Sequence, residues 1–380
     1  MLEASPLTIA HADFHLLWGG QAEVALALSK AFALRGHNVT LVCPPGSQLA
    51  ARATEAGLET FTGCRFRKGF RPVAFMRDVA CLGAFLRAKG VQIYHCHGSQ
   101  DHWIGALAAR LYSPATKVFR TRHNIFPIAG HVFNRWLFRR LTTQVITIFG
   151  SQKRFFIDAG LLPAERLVTL HSPLPQEFIN PGPVPRVLRQ ELQLDDATPL
   201  VGFVANTFHP DKAPLDFVAA AEKTGRELPQ VRFCLVGHGP LEADIRARTQ
   251  AGDMPARFHL AGFRKDILPV MASFDLVVLT SVAREASSTV LKQAGALGLP
   301  VVATDVGGTN EIVSDGQTGL LVPPGDIEAL AGAMKSLLAD PARAAALGAA
   351  AKEKVLAEFT AAAIAERTEE LYRKALLVTA

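Results

Sequence analysis

The stretch Arg284-Glu-Ala-Ser-Ser-Thr-Val-Leu-Lys-Gln293 combines a carboxylate, two hydroxyls and the apolar spacing of a helix that opens at Ser288. Free backbone N–H groups at such an opening, with the helix dipole behind them, favour an anion such as phosphate. Ser287 or Ser288 serving simply as an N-cap is compatible with that use. Lys212 stands seven residues beyond an apolar strand and offers a point charge suited to a diphosphate, although alone it reads as an ordinary surface lysine. Val236-Gly-His-Gly-Pro240 and Asp305-Val-Gly-Gly-Thr-Asn-Glu311 are glycine-rich turns where the backbone can approach a ligand closely. Singly each is equally a tight turn; their recurrence along one sheet edge is the stronger signal. No GxGxxG, GxxxxGK[ST] or GxSxG occurs, so dinucleotide-dependent dehydrogenases, P-loop NTPases and α/β-hydrolases lose their main signatures.

Such residues need strands whose carboxyl ends lie side by side. In the first half, apolar strands at 7–12, 38–43, 59–61, 92–96, 116–121, 144–148 and 166–170 alternate with helices at 22–34, 48–57, 73–89 and 103–112, with Gly19 and Gly20 in a loop. The stretch 171–185 holds five prolines and one glycine and reads as a linker. A second series follows, with strands at 200–205, 232–236, 258–260, 276–279, 300–303 and 319–322, helices at 213–224, 241–250 and 288–297, and a helical tail over 326–338, 341–359 and 361–377. This alternation predicts an α/β protein of two doubly wound parallel sheets, which bind ligands at the carboxyl ends of their strands.

Composition agrees. A chain of 380 residues that is 49% hydrophobic can build two cores, and 19% charge leaves little room for disorder. The five cysteines show no CxxC spacing and read as buried reduced thiols. The opening Leu2-Glu-Ala-Ser-Pro is no basic n-region before an apolar run, and no apolar run reaches the roughly 18–20 residues of a membrane span, so a cytoplasmic protein is expected. From Arg65 to Arg154 the net charge is +14, and the remainder carries −8. Basic residues there alternate with aromatics, as in Phe133-Asn-Arg-Trp-Leu-Phe-Arg-Arg140. Two readings stay open, a solvated basic face and a surface for an anionic membrane. Nucleic acid is not expected, since no motif for it appears.

Several pieces form one ordered set: Gly202 with Lys212, Val236 to Pro240, Gly262-Phe-Arg-Lys-Asp266, Glu285 to Gln293, Gly298-Leu-Pro-Val-Val302, Val306-Gly-Gly308 with Glu311, and Gly316-Gln-Thr-Gly-Leu-Leu-Val322. Trp18-Gly-Gly20, Arg35-Gly-His37 and His123 join them from the first half. Over nearly the whole chain this set resembles the GT4 family of retaining glycosyltransferases. The resemblance implies the GT-B fold, two Rossmann-like domains facing a central cleft. The expected domains are 1–180 for the acceptor and 181–360 for the nucleotide-sugar donor, with a last helix over 361–378 packing back on the first.

It also implies roles. Gly19 and Gly20 resemble the loop that closes on the donor phosphates, and Lys212 the lysine that neutralises the diphosphate in the transition state. Gly262 and Arg264 resemble the strand end whose backbone reads the nucleobase, and Gly237 belongs to a donor-side turn. Glu285 resembles the first acid of the family's EX7E motif, near the sugar hydroxyls. Ser288, Thr289 and Val290 match the helix start that holds the β-phosphate. His123 resembles the histidine near the reacting sugar, where a merely hydrogen-bonded strand-end histidine is the plainer reading. Lys212, Glu285 and His123 are thus the catalytic candidates. His95 and His97 share a strand face, and His97 with Asp101 is assigned to the acceptor pocket. No metal and no cofactor is expected, the nucleoside-diphosphate sugar being a substrate.

Three positions depart from the family. Thr207 stands where an arginine is usual, Ala213 replaces the glycine after the lysine, and Gln293 replaces the second acid, though it can still hydrogen-bond a ribose hydroxyl. His209 and Arg284 are the nearest substitutes for the missing cation. The expected activity is transfer of a sugar to an acceptor hydroxyl, glycan or lipid-linked, in lipopolysaccharide or other cell-surface glycan synthesis, with peripheral contact to the inner membrane kept open. The alternatives are a GT-B sugar-nucleotide epimerase and a catalytically weak nucleotide-sugar-binding homologue.

Overall fold

The structure is a computed structural model and describes residues 5–67, 69, 71–124, 126–205, 208–250 and 254–378. The chain divides into two compact units, one from residues up to Pro173 together with those from Ala361 on, the other from Leu174 to Thr360. The division falls inside the proline-rich stretch. Leu174 and Phe178 already belong to the second unit's core, and the Leu174 N–H donates to the Phe359 carbonyl.

In the first unit, chain order runs β1 Thr8–Ala12, α1 Gly20–Leu34, β2 Asn38–Val42, α2 Gln48–Glu55, β3 Glu59–Phe61, α3 Pro72–Ala88, β4 Ile93–Cys96, α4 Ser99–Tyr112, β5 Lys117–Arg122, α5 Val132–Trp136, β6 Gln144–Thr147, α6 Gln152–Asp158 and β7 Leu167–Thr169. A π-helical turn over Leu137–Leu141 continues α5. Among the described residues the strands form one parallel sheet of order β3-β2-β1-β4-β5-β6-β7. β1 and β4 are almost wholly buried, as strands covered on both faces must be, and each carries a buried histidine, His11 and His95, among its apolar residues.

The second unit holds α7 Val187–Glu191, β8 Leu200–Val204, α8 Pro214–Glu227, β9 Arg232–Val236, α9 Glu242–Thr249, β10 Phe258–Gly262, α10 Ile267–Met271, β11 Leu276–Leu279, α11 Thr289–Ala296, β12 Val301–Thr304, α12 Thr309–Ile312, β13 Leu320–Val322, α13 Ile327–Ala339 and α14 Pro341–Glu358. Its described strands form a parallel sheet of order β10-β9-β8-β11-β12-β13. In both sheets the order reverses beside the first strand of the series, the switch point at which doubly wound sheets bind ligands. Gly202 in β8 has a packing reason: a β-carbon there would come within 2.4 Å of the Phe274 ring.

The last helix, α15 Ala361–Leu377, returns to the first unit. Ile364, Ala365 and Tyr372 are buried there with Leu7, Ile9, Phe32 and Phe119.

Two boundaries differ from the sequence reading in ways that touch the site. Gly20 is the first residue of α1 rather than part of a loop, and Gly19 is its extended N-cap. α4 starts at Ser99 rather than at 103, which puts Asp101 in its first turn. Asp101 accepts the backbone N–H groups of His97 and Gly98 at 3.0 and 2.7 Å, supplying the acceptors that a helix start lacks.

Candidate functional site

In the second unit, the loop after β8 leads into a 3₁₀ turn, Pro210–Lys212. Thr207 lies outside the described residues. The turn is clamped to the end of β11: the Thr280 hydroxyl lies 2.8 Å from the carbonyl oxygens of both Lys212 and Ala213, and the Val282 N–H donates to Asp211 O at 2.9 Å. So held, Lys212 Nζ donates to Glu285 Oε2 at 2.6 Å, and the Ser281 hydroxyl donates to the same oxygen at 2.6 Å. Glu285 is buried, whereas Lys212 is 31% exposed. The ammonium is therefore the open side of the pair.

Ala213 follows in left-handed backbone, φ 43°, where an L-residue bears a penalty that glycine does not. Ala213→Gly is therefore expected to stabilise the protein by about 0.5–1 kcal/mol, less than the full penalty because glycine also loosens the unfolded chain. A thermal melt checks this, and a lower midpoint would contradict it. Arg284 and His209, the proposed substitutes for the missing arginine, both turn to Asp211, at 2.5 and 3.3 Å. The Arg284 guanidinium holds that carboxyl below the usual aspartate range.

The Glu285 main chain is fixed from the other side. Its carbonyl accepts the Gly308 N–H at 3.0 Å, and Gly307, φ +62°, passes so close that a β-carbon would lie 1.8 Å from that oxygen. Ser288 caps α11, its hydroxyl accepting the Leu291 N–H at 3.4 Å. Thr289 and Val290 are the first two helical residues, whose N–H groups have no acceptor one turn back. Gln293 is buried on the same helix. The sequence reading passed over its neighbour Lys292, which is fully buried and donates to the Ser287 hydroxyl at 3.0 Å. Its burial within the run Leu291 to Ala296 demands polar partners, one of which Ser287 supplies.

Gly237, φ +139°, donates its N–H to the Gly262 carbonyl at 2.8 Å, and a β-carbon on it would lie 1.9 Å from Ala205 O. Its backbone thus joins three strand ends rather than offering a free donor. Gly262 has open space where a side chain would project. Arg264 is held by Glu191 at 2.8 and 2.9 Å and by Asp266 at 2.8 and 2.6 Å.

In the first unit, a β-carbon on Gly19 or Gly20 would meet nothing within 4 Å, so internal packing gives no reason for either glycine. Gln21 ties this end of α1 to the turn after β4, donating to His97 O at 2.7 Å. His97 Nδ1 lies 2.9 Å from His123 Nε2, which joins the two histidines singled out in the sequence. Behind them stand His11 and His95. Burial lowers the pKa of His11 to about 3 and carries His95 and His97 well below the ordinary value. His123 is lowered by burial and then by Arg120 and Arg122. These rings are neutral at neutral pH. Burial raises the Asp101 carboxyl to about 6 against the pull of Arg120. Asp101 Oδ1 has no partner among the described residues.

Residues 198–340 match the family model for glycosyl transferases group 1, and residues 18–177 match that for glycosyltransferase family 4. The chain is 36% identical over 317 residues to alpha-maltose-1-phosphate synthase of Mycolicibacterium smegmatis, covering 76% of this chain and 80% of that one. The chain is a family 4 glycosyltransferase.

The transferase is also 32% identical over 273 residues to 2-deoxystreptamine N-acetyl-D-glucosaminyltransferase of Streptomyces fradiae, covering 70% of itself but only 62% of that relative. A glycosyltransferase from Rickettsia africae ESF-5 superposes with a TM-score of 0.85 at 17% identity, covering 99% of this chain and 100% of that one. HepE from Anabaena, solved in complex with UDP, follows with a TM-score of 0.75 at 21% identity, covering 97% and 100%. These likenesses establish the GT-B fold. The group 1 match contains Lys212, Glu285 and α11; the family 4 match contains Gly19, Gly20, His97, Asp101 and His123. Among the described residues of the transferase, no helix is long and apolar enough to cross a membrane.

Proposed function

We propose that this transferase moves a sugar from a nucleoside diphosphate to an acceptor hydroxyl with retention at the anomeric carbon, in lipopolysaccharide or other cell-surface glycan synthesis. The observation that carries the reading is the Lys212–Glu285 pair, set beside the capped start of α11 at the ends of β8 and β11. A diphosphate at the α11 N-terminus meets the N–H groups of Thr289 and Val290 and draws the exposed Lys212 ammonium towards itself. The charge that grows on the leaving diphosphate is then met by groups already in place. Glu285, released from Lys212 but still bound to Ser281, accepts from the donor-sugar hydroxyls. The open space at Gly19 and Gly20 suits backbone that comes close to phosphate, and the gap beside Gly262 suits a nucleobase. His123 hydrogen-bonds a hydroxyl at the reacting end of the sugar, and His97 with Asp101 lies on the acceptor side. In this reading no resident metal or cofactor takes part.

A lipid-linked acceptor at an anionic membrane surface is supported by α5 and the π-helical turn after it. Val132, Phe133 and Trp136 are exposed there beside exposed Arg135, Arg139 and Arg140. A second reading, a catalytically weak nucleotide-sugar-binding protein, is favoured by Arg284 and His209 both being engaged by Asp211.

Donor turnover decides between them. The protein is incubated with UDP-, GDP- and ADP-sugars, with EDTA present and absent, and with lipid acceptors in anionic or neutral vesicles. Transfer from one nucleotide class, unchanged by EDTA and faster on anionic vesicles, is the expected result. Binding without turnover of any donor would favour the second reading. An α-linked product from an α-linked donor is expected, and inversion would remove the retaining assignment.

A further inference from the structure

His123 is the outer end of a chain of polar contacts that runs through the core of the first unit. His123 Nε2 lies 2.9 Å from His97 Nδ1, His97 Nε2 lies 3.3 Å from His11 Nδ1, and His11 Nε2 lies 3.4 Å from the Tyr372 hydroxyl. The same hydroxyl is hydrogen-bonded to His95 Nδ1, and His95 Nε2 lies 2.7 Å from the Thr121 hydroxyl. The members come from β1, β4, β5, the turns just after β4 and β5, and the tail helix α15.

A neutral imidazole has one N–H and one lone pair, and a tyrosine hydroxyl has one hydrogen. Each inner histidine therefore donates on one side and accepts on the other. The Tyr372 oxygen could accept from His11 and His95 together, but its own buried O–H would then lack an acceptor, so two arrangements satisfy every group. In one, His123 Nε2–H donates to His97, His97 to His11, His11 to Tyr372, Tyr372 to His95, and His95 to Thr121. In the other every donor reverses, beginning with the Thr121 hydroxyl, and His123 keeps its proton on Nδ1. A mixed arrangement sets two N–H groups or two lone pairs against each other, or leaves the Tyr372 O–H without an acceptor, where His11, His95, His97, Thr121 and Tyr372 are all buried from water. Burial keeps His11, His95 and His97 from gaining a second proton that would break the rule.

The His11, His95 and His97 nitrogens also lie within 4.8 Å of one another, near enough to hold a metal ion. Ring geometry argues against that use. His95 and His97 stack with centroids 4.7 Å apart and planes 13° apart, so their in-plane lone pairs run side by side instead of converging. Both His95 nitrogens are moreover already engaged.

We propose that Tyr372, together with His11 and His95, is a positioning residue: it closes a buried hydrogen-bonded chain that couples the ring nitrogen on which His123 carries its proton to the hydrogen-bonding sense of every other member. The catalytic consequence rests on the role given to His123 above; the tautomer itself does not. The tail helix then sets the hydrogen-bonding sense of a site residue far away in sequence.

The test uses the full chain labelled with ¹⁵N-histidine. Two-bond ¹H–¹⁵N correlation spectra are recorded before and after EDTA, with His123 assigned from His123→Asn. Wild type is expected to show one tautomer at His123. Tyr372→Phe should move the His123 and His97 nitrogens towards a mixture, and lower kcat about tenfold with the donor KM within about twofold of wild type. Thr121→Val opens the far end of the chain with little change in volume, guards against a Tyr372→Phe protein that does not fold, and should shift the same nitrogens in the same direction. His123 signals identical to wild type in the folded variants would overturn the proposal, as would metal-ligated nitrogen shifts that EDTA reverses. A changed tautomer with unchanged kcat would uphold the chain and remove His123 from the transfer step.

Discussion

Lys212→Ala is expected to lower the kcat/KM for donor by about 10²–10³-fold, the range seen when one preorganised charge-stabilising group is removed from a site. Lys212 is the exposed partner of a 2.6 Å pair whose other member, Glu285, is buried. Without donor, the ammonium neutralises Glu285. In the proposed reaction it transfers that interaction to the diphosphate, whose charge increases as the sugar leaves. The alanine variant loses both interactions. Its stability should fall by about 1–3 kcal/mol, since Glu285 stays buried without its cation, although Lys212 is only half-buried and Ser281 still donates to Glu285. Steady-state kinetics beside a thermal melt separate the two effects. Activity within about threefold of wild type in a folded variant would remove Lys212 from the mechanism.

Gly307→Ala is expected to cost about 2–4 kcal/mol, the range of substitutions that combine backbone strain with a hard clash. The β-carbon would stand 1.8 Å from Glu285 O, which no rotamer can relieve, at φ +62°. The nearby Gly316→Ala is the control. It shares the left-handed backbone, φ +68°, but its β-carbon meets nothing within 4 Å, so it should cost only about 1–2 kcal/mol. The difference belongs to the Gly307–Glu285 contact. Because that contact seats the acid of the site, Gly307→Ala should also lose donor turnover while Gly316→Ala keeps it. Equal denaturant midpoints for the two variants would refute the argument.

The parallel strands were legible because they are short apolar runs separated by helical periods and turn residues. The α11 start was legible to within one residue, from Ser287 or Ser288 as the cap, and Ser288 is the one that caps it. The α4 start was not, because its first turn, Ser99-Gln-Asp-His102, carries no apolar period and is held instead by Asp101 accepting two backbone N–H groups. Nor was the π-helical turn over Leu137–Leu141, since a wider turn breaks the spacing on which helix reading depends. Lys212 and Glu285 were found separately, as strand-end residues, but their ion pair spans 73 positions and exists only once β8 and β11 are neighbours. Likewise the i, i+2 spacing put His95 and His97 on one strand face, while nothing local announced Tyr372, 277 residues further on.

The return of α15 to the first unit makes the second unit an insertion within the first. A ribosome delivers Leu7, Ile9, Phe32 and Phe119 early, yet the cluster they share with Ile364, Ala365 and Tyr372 stays incomplete until residues beyond 361 have emerged. The second unit, continuous from Leu174 to Thr360, can close its own core before then. Order of synthesis and order of completion are therefore reversed: the half made first is finished last, and a nascent chain halted before α15 would carry a folded second unit and a first unit with an open apolar face, the kind of surface that chaperones bind.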